Sequence, residues 1–130
     1  MADAVVGDTP NPGCLFCGIV AGSIPSDAVL ETELSYAFRD INPAAPVHVL
    51  VVPKAHLDSA ADLDGTQAEL LVDLLGAVNQ VAAQEGVAET GYRVVTNVGE
   101  DAGQLVRHLH FHVIGGRGLR WPPKGSEAGG

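Results

Sequence analysis

Basic residues are scarce in this sequence. Its 130 residues include 7 Lys and Arg against 16 Asp and Glu, for a formal net charge of −9. This balance excludes a protein that binds nucleic acid along a basic surface, because such binding needs clustered Lys and Arg. A single nucleotide remains compatible with it, since backbone N–H groups and neutral polar side chains can hold one phosphate.

Long apolar segments are lacking as well. The apolar runs are far too short to cross a membrane, and residues 1–12 lack the basic and apolar regions of a secretory signal. We therefore expect no membrane partner and a cytoplasmic protein. With 46% hydrophobic and 18% charged residues, we expect one globular domain over residues 13–123. Flexible tails are expected at residues 1–12 and 124–130.

Cysteine occurs only twice, in the motif Cys14-Leu15-Phe16-Cys17. One pair does not make a disulfide framework, and in a cytosolic chain Cys-x-x-Cys indicates a metal site or redox chemistry. The redox interpretation expects a strand before the motif and a long helix that begins at it. Here Pro12 and Gly13 precede the motif, and the apolar segment that follows ends at Gly22. The motif therefore favours half of a zinc site.

Hydrophobic periodicity predicts two helices and five strands. We expect a short helix at 15–21, strands at 29–31, 35–39, 48–53, 92–97 and 106–115, and a loop at 98–104. A long helix is predicted at 66–85, with a capping box from Thr66 to Glu69. Its apolar stripe comprises Leu70, Leu71, Leu74, Leu75, Val78, Val81 and Ala82. This order predicts an α+β fold with a mainly antiparallel sheet.

Three histidines alternate in His108-Leu109-His110-Phe111-His112. In a strand they would share one face, with Leu109, Phe111 and Val113 packed on the other. Three buried imidazoles are hard to explain as packing, because each needs polar partners. Near neutral pH, one ring can attack a phosphorus, a protonated neighbour can give its proton to the leaving group, and another can hold orientation. The motif therefore indicates catalysis at phosphorus.

The loop before this motif is a candidate phosphate contact. Gly103 allows close backbone approach, and the Gln104 side chain adds donors. Glu100 and Asp101 would repel a phosphate, so both are expected to point to solvent.

A metal site is the alternative for the histidines, since His-x-His also places two ligands on one strand face. A closed zinc site takes four Cys and His ligands. The two cysteines would need two of the five histidines, which leaves three for catalysis. Counting does not decide which two bind metal.

Together these motifs resemble the histidine triad (HIT) family of nucleotide hydrolases and transferases, from about Cys14 to Pro123. The histidine motif followed by Val113-Ile114 resembles the family signature. Residues 37–43, 45–48 and 51–56 resemble the nucleoside-contact turn and the strand that follows it. Residues 91–97, 101–104 and 115–117, with Trp121-Pro122-Pro123, are similar to the Hint branch in particular.

The resemblance implies a HIT-like fold, with about five antiparallel strands, one long helix and a short N-terminal helix. It also implies a homodimer that joins two sheets, with the long helix at the interface. The implied enzyme is a purine nucleoside phosphoramidase, a hydrolase of AMP or GMP phosphoramidates or aminoacyl adenylates, acting through a nucleotidyl-histidine. The alternatives are a dinucleoside polyphosphate hydrolase, as in the Fhit branch, and a nucleotide-binding regulatory module with weak activity.

Residue roles also follow from the resemblance. His110 is the implied nucleophile, His112 contacts the phosphate and leaving group, and His48 supports them. No catalytic metal is implied, but a structural zinc is, held by Cys14, Cys17, His56 and His108. The implied nucleotide contacts are Phe16, Asp40, Ile41, Asn97, Gly103, Gln104, Leu105 and Trp121. Leu105 departs from the family pattern, because many Hint-branch members have Ser there, and Leu cannot donate a hydrogen bond.

Overall fold

Five antiparallel strands form one sheet in the computed structural model, which describes residues 13–123. The tails expected at 1–12 and 124–130 lie outside the described residues. The order in the sheet is β1-β2-β3-β5-β4. The elements are α1 (Leu15–Ala21), β1 (Ala28–Glu31), β2 (Ser35–Arg39), β3 (Val47–Pro53), α2 (Ala68–Gln84), β4 (Tyr92–Val95) and β5 (Phe111–Gly115). The predicted α+β class is confirmed.

Helix α2 covers one face of the sheet. Its side chains Leu70, Leu74 and Val81 are buried against Val49 and Val113 of the central strands. Most of the predicted apolar stripe is therefore core, and each such side chain contributes roughly 1.5–3 kcal/mol by leaving water. Within residues 13–123, no helix combines the length and the apolar character that crossing a membrane requires.

Helix α1 covers part of the opposite face. Phe16 and Ile19 pack there against Phe38, Leu50 and Val52. Cys14 caps the start of the helix, and its Sγ accepts from the backbone N–H of Cys17 at 3.3 Å. Gly22 caps the end of the helix. Gly22 has φ 86°, a left-handed conformation that glycine adopts without strain. The predicted helix boundaries are confirmed.

The histidine strand begins later than the predicted residue 106. Strand β5 begins at Phe111, which pairs with Val51. Before that point, the N–H of Leu109 donates to the carbonyl of Leu57 at 2.7 Å. The segment 106–110 thus passes the end of β3 and bonds to the loop beyond it. The alternation of faces holds all the same: Leu109, Phe111 and Val113 lie in the core beneath α2.

The start of the long helix also differs from the prediction. The capping box joins Asp64 and Gln67, where Thr66 and Glu69 were expected. The backbone N–H of Asp64 donates to Gln67 Oε1 at 2.7 Å, and Asp64 Oδ1 accepts from the N–H of Thr66 at 2.8 Å. The first turn is a 3₁₀ helix, Gly65–Gln67. Asp64, two residues before Thr66, is thus the N-cap, a position at which Asp is strongly preferred.

Two further boundaries are corrected near the site. Strand β4 ends at Val95, before the predicted residue 97, because its pairing with β5 ends where Val95 meets His112. The predicted loop at 98–104 contains a 3₁₀ turn, Glu100–Ala102. Glu100 and Asp101 are exposed, as expected.

Candidate active site

A cavity of about 340 Å³ opens on the α1 face of the sheet. Its floor is apolar and includes Phe16, Phe38 and Leu50. His110 and His112 lie in the same lining, although both are almost completely buried. An apolar cavity with a few polar groups is the usual form of a small-molecule site.

The hydrogen bond of His110 fixes its tautomer. Its Nδ1 lies 2.7 Å from the carbonyl oxygen of His108. A carbonyl only accepts, so Nδ1 carries the proton and the lone pair is on Nε2. The ring of Phe16 packs edge-on against the imidazole, with centroids 5.1 Å apart. The orientation of the His110 ring is thus fixed, and in its neutral form Nε2 is the nucleophilic nitrogen.

His48 and His112 form a hydrogen-bonded pair. The backbone N–H of Ala44 donates to His48 Nδ1 at 2.9 Å, so the proton of a neutral His48 is on Nε2. That Nε2 lies 2.9 Å from His112 Nδ1, which leaves the proton of His112 on Nε2. Burial lowers the pKa of His48, and the Asp40 carboxylate, 3.5 Å away, opposes this shift. The pair can therefore hold and move a proton beside His110.

Three of the predicted nucleotide contacts lie at the mouth of the cavity. Asp40 lines it and accepts from the backbone N–H of Asn42 at 2.8 Å. Ile41 and Leu105 also line it and are 91% and 83% exposed. Exposed apolar side chains at a cavity mouth are suited to cover a flat ring.

The loop of Asn97, Gly103 and Gln104 lies differently from the prediction. Within residues 13–123, the cavity lining includes none of the three. Gln104 Nε2 donates to the carbonyl oxygens of Asp58 and Val106, at 2.6 and 2.9 Å, and its Oε1 accepts from the N–H of Gly99. The buried Gln104 amide therefore braces the loop, in place of the phosphate contact that the sequence predicts.

Trp121 lies outside the cavity lining of the described residues. It is 82% exposed, and the guanidinium carbon of Arg93 lies 5.9 Å from its ring centroid. Arg93 also donates to the carbonyl of Arg120 at 2.7 Å. The position of Trp121 is thus held by strand β4.

The two cysteines and the other two histidines form a separate cluster. Cys14 Sγ lies 3.3 Å from His108 Nδ1, and Cys17 Sγ lies 3.3 and 3.5 Å from the Nδ1 atoms of His56 and His108. All four donor atoms are within 4.8 Å of one another. Tetrahedral zinc, with bonds of about 2.3 Å to sulfur and 2.0–2.1 Å to nitrogen, would separate sulfur and nitrogen by about 3.5 Å. The donor set fits zinc in kind and in spacing.

The Nε2 atoms of His108 and His56 hold both rings in an orientation suited to a metal. His108 Nε2 lies 2.9 Å from the carbonyl oxygen of Pro53, and His56 Nε2 lies 3.0 Å from Asp58 Oδ1. Both partners are acceptors, so each Nδ1 lone pair faces the thiols, the usual arrangement behind a zinc-bound histidine. Burial lowers the pKa of His108 to about 4, against the effect of its bond to Pro53. The neutral form that a metal requires is therefore favoured.

Several of these orienting groups were missed by sequence reasoning. Ala44 and Pro53 act through backbone atoms, which no side-chain pattern reveals. Thr96 Oγ1 donates to the carbonyl of His110 at 2.7 Å and likewise has no motif. Asp58 follows His56 by two residues, and that spacing was a detectable signal.

Comparison with known proteins places the chain in a family. A model of the HIT domain matches residues 21–119. A purine nucleoside phosphoramidase of Escherichia coli is 39% identical over 81% of this chain and 88% of its own, and a 14 kDa zinc-binding protein of Zea mays is 46% identical over 89% of each. A HIT family hydrolase from Legionella pneumophila superposes with a TM-score of 0.83 at 45% identity, over 86% of this chain and 100% of its own. The chain belongs to the HIT family.

Proposed function

We propose that this protein is a purine nucleoside phosphoramidase of the Hint branch. It would hydrolyse AMP or GMP phosphoramidates, or aminoacyl adenylates, in the cytoplasm. The observation that carries the proposal is the bond from His110 Nδ1 to the His108 carbonyl, which places the lone pair of the neutral ring on Nε2. The similarity to the Escherichia coli phosphoramidase supports the same activity.

In the proposed reaction His110 Nε2 attacks the α-phosphorus. A bond forms from this nitrogen to phosphorus, and the bond from phosphorus to the leaving nitrogen breaks. His112, in its protonated form, gives a proton to the leaving amine and becomes neutral. Water then attacks the phosphorus of the nucleotidyl-His110: a bond from oxygen to phosphorus forms, the bond from phosphorus to His110 Nε2 breaks, and the proton of the water goes to His112. Fixed rings in contact distance remove much of the entropic barrier to such steps.

The cavity walls supply the proposed nucleotide contacts. Phe16 and Ile41 cover the base, and the Asp40 carboxylate holds the ribose hydroxyls. Asn97 and Gly103 lie outside the cavity lining, and we propose that the loop braced by Gln104 brings them near the phosphate. Carboxylates readily accept two hydroxyl hydrogen bonds, which supports the role of Asp40.

We further propose that Cys14, Cys17, His56 and His108 hold a structural zinc. When bound, the metal would supply a crosslink between α1 and the histidine segment. Zinc bound in such sites contributes on the order of 10 kcal/mol to folding. The four residues themselves position the carbonyl of His108, which orients the nucleophile.

The proposed assembly is a homodimer. Helix α2 buries Leu74 and Val78 yet exposes Val72 by 72% and Leu75 by 43%. An exposed apolar helix face is a common interface feature. In the dimer, Trp121 of one chain acts in leaving-group selection at the site of the other.

Leu105 is predicted to tune the leaving group. Leu105 stands where many Hint-branch members have Ser, whose hydroxyl could donate to a phosphate oxygen or to a leaving amine. Leu105→Ser is expected to raise kcat for AMP amides by about threefold to tenfold, the value of one added hydrogen bond, or to change leaving-group preference. Steady-state rates on two AMP amides check this, with Leu105→Met as the apolar control. Unchanged rate and preference would contradict the role of Leu105.

The proposed function is tested by trapping its intermediate. Protein mixed with an adenosine phosphoramidate and quenched within milliseconds is expected to gain the mass of one AMP on the peptide that contains His110. Release of AMP without such an adduct would contradict covalent catalysis. Turnover of a diadenosine polyphosphate faster than an AMP amide would favour the alternative hydrolase.

A further inference from the structure

A second cavity, of about 520 Å³, adjoins the first. Leu15, Leu105 and Val106 line both, so these side chains form the wall between them. Beyond this wall, the second cavity borders the cysteine and histidine cluster, and its lining continues with Gly13, Cys14, His56, Asp58 and Arg107. The Asp58 carboxylate in this lining is bonded to His56 Nε2 at 3.0 Å. A ligand whose phosphate lies at His110 and whose other end crosses Leu105 therefore reaches a charged surface.

Arg107 stands apart from the other basic residues. It is exposed on the wall of the second cavity, and residues 13–123 offer it neither an ion pair nor a hydrogen bond. The other basic side chains in this range are engaged: Arg39, Lys54, Arg93, Arg117 and Arg120. An unpaired guanidinium on a cavity wall can pair with an anion such as a carboxylate or a phosphate.

The wall between the cavities restricts which anion can reach Arg107. Leu105 is 83% exposed and Leu15 48% exposed, so a ligand crosses an apolar surface. A polyphosphate chain would lose hydration there without new polar partners. The hydrocarbon body of an amino acid would instead bury apolar area. An amino acid with an apolar side chain can do both: its side chain packs on the wall, and its carboxylate pairs with the guanidinium.

On the basis of the proposed phosphoramidase activity, we propose that the second cavity binds the leaving group. Within the phosphoramidates of that activity, Arg107 selects those that carry an apolar amino acid through its amino nitrogen and leave its carboxylate free. Its side chain lies across Leu15 and Leu105, and its carboxylate pairs with Arg107. In the reaction the bond from phosphorus to nitrogen breaks, the bond to His110 Nε2 forms, and the amino nitrogen takes a proton from His112.

Three conjugates of AMP test the proposal: those joined through nitrogen to phenylalanine, to phenylalaninamide and to phenethylamine. The natural protein is expected to prefer the free carboxylate over the amide by roughly twofold to fivefold in kcat/KM at low salt, as for one exposed ion pair. The preference shrinks at high salt. Arg107→Gln removes it, and Arg107→Lys retains most of it. Lys54→Gln, which removes a cation outside both cavities, keeps the natural ratio.

Equal kcat/KM for the acid and the amide in the natural protein would overturn the proposal. So would an Arg107→Gln variant that keeps the preference. If no conjugate is hydrolysed, the proposed function fails, and the intact conjugates become ligands whose Kd calorimetry can measure. The same Arg107-dependent preference in Kd would then support the binding site, and its absence would overturn that as well.

Discussion

The first two histidines of the motif differ in which ring nitrogen is bonded to a backbone carbonyl. His108 is bonded through Nε2 to the carbonyl of Pro53, and its Nδ1 faces the two cysteines. His110, two residues on, is bonded through Nδ1 to the carbonyl of His108. Two residues of one type on one segment thus present opposite nitrogens. The backbone acceptor, and not the residue type, decides which nitrogen of each neutral ring carries the proton.

The two regions also differ in their partners. Thiols and a second imidazole surround His108, and all four groups are suited to hold a metal. Around His110 lie an apolar cavity and the His48–His112 pair. They share a physical link, because the His108 carbonyl orients His110 and the Phe16 ring contacts both, with centroids 6.0 and 5.1 Å away. Substitution of either cysteine should therefore lower the catalytic rate, and substitution of His110 should leave the cluster of Cys14, Cys17, His56 and His108 intact.

The largest expected effect is at the nucleophile. His110→Ala should lower kcat for an adenosine phosphoramidate by roughly a thousandfold or more, since no other group supplies the attacking nitrogen. Native mass spectrometry should show unchanged zinc content. Retained turnover would contradict the role of His110 as the nucleophile, and lost zinc would contradict a metal cluster that is independent of His110.

Cys17→Ser should act mainly on stability. Loss of one thiolate leaves an incomplete zinc site, and we expect the free energy of unfolding to fall by roughly 3–5 kcal/mol. Urea titration with zinc present measures the fall, and His110→Ala serves as the control that keeps the metal. A Cys17→Ser protein as stable as the natural one, before and after chelation, would contradict a structural metal.

His48→Leu should separate orientation from binding, because leucine cannot donate a hydrogen bond to His112. Without the imidazole that donates to His112 Nδ1, the proton of His112 is no longer held on Nε2. We expect kcat to fall by roughly a hundredfold and the Kd for AMP to change little. A loss seen only in AMP affinity would show that His48 shapes the cavity and does not orient His112.

The smallest predicted effect concerns pH. Burial places the pKa of folded His48 below its ordinary value of 6.5, so below pH 6.5 the unfolded chain binds a proton there that the folded chain does not. The free energy of unfolding is therefore complete above pH 6.5 and decreases as the pH falls, by no more than about 1.4 kcal/mol per unit from this side chain. Urea midpoints between pH 7 and 5 measure the slope. His48→Gln should reduce it; an equal slope would contradict a neutral buried His48.

Sequence patterns predicted the elements well where periodicity is strong. The stripe on α2 and the alternation through Leu109, Phe111 and Val113 both reflect burial, which composition records directly. The predicted start of β5 at residue 106 and the predicted capping box from Thr66 to Glu69 were wrong, because strand pairing and capping depend on which neighbours lie close in the folded chain. Backbone contacts from Ala44 and Pro53 to the histidine rings have no sequence signal.

The site shows the same limit. The pattern predicted that Gln104 reaches a phosphate, yet its amide hydrogens go to the carbonyls of Asp58 and Val106. The sequence around a glutamine in a glycine-rich loop is the same whether its amide braces the loop or contacts a phosphate. Only tertiary placement distinguishes a brace from a ligand contact. Arg107, which the family motifs pass over, gained its proposed role from the same kind of placement.

The most direct test of this division is a measurement of the histidine tautomers. Long-range ¹H–¹⁵N correlation spectra of ¹⁵N-labelled protein distinguish a proton on Nδ1 from one on Nε2. For neutral His110 we expect the proton on Nδ1, and for His108, with zinc or without, on Nε2. The same tautomer on both rings, or a His110 with its proton on Nε2, would contradict the assignment of His110 as nucleophile and His108 as metal ligand.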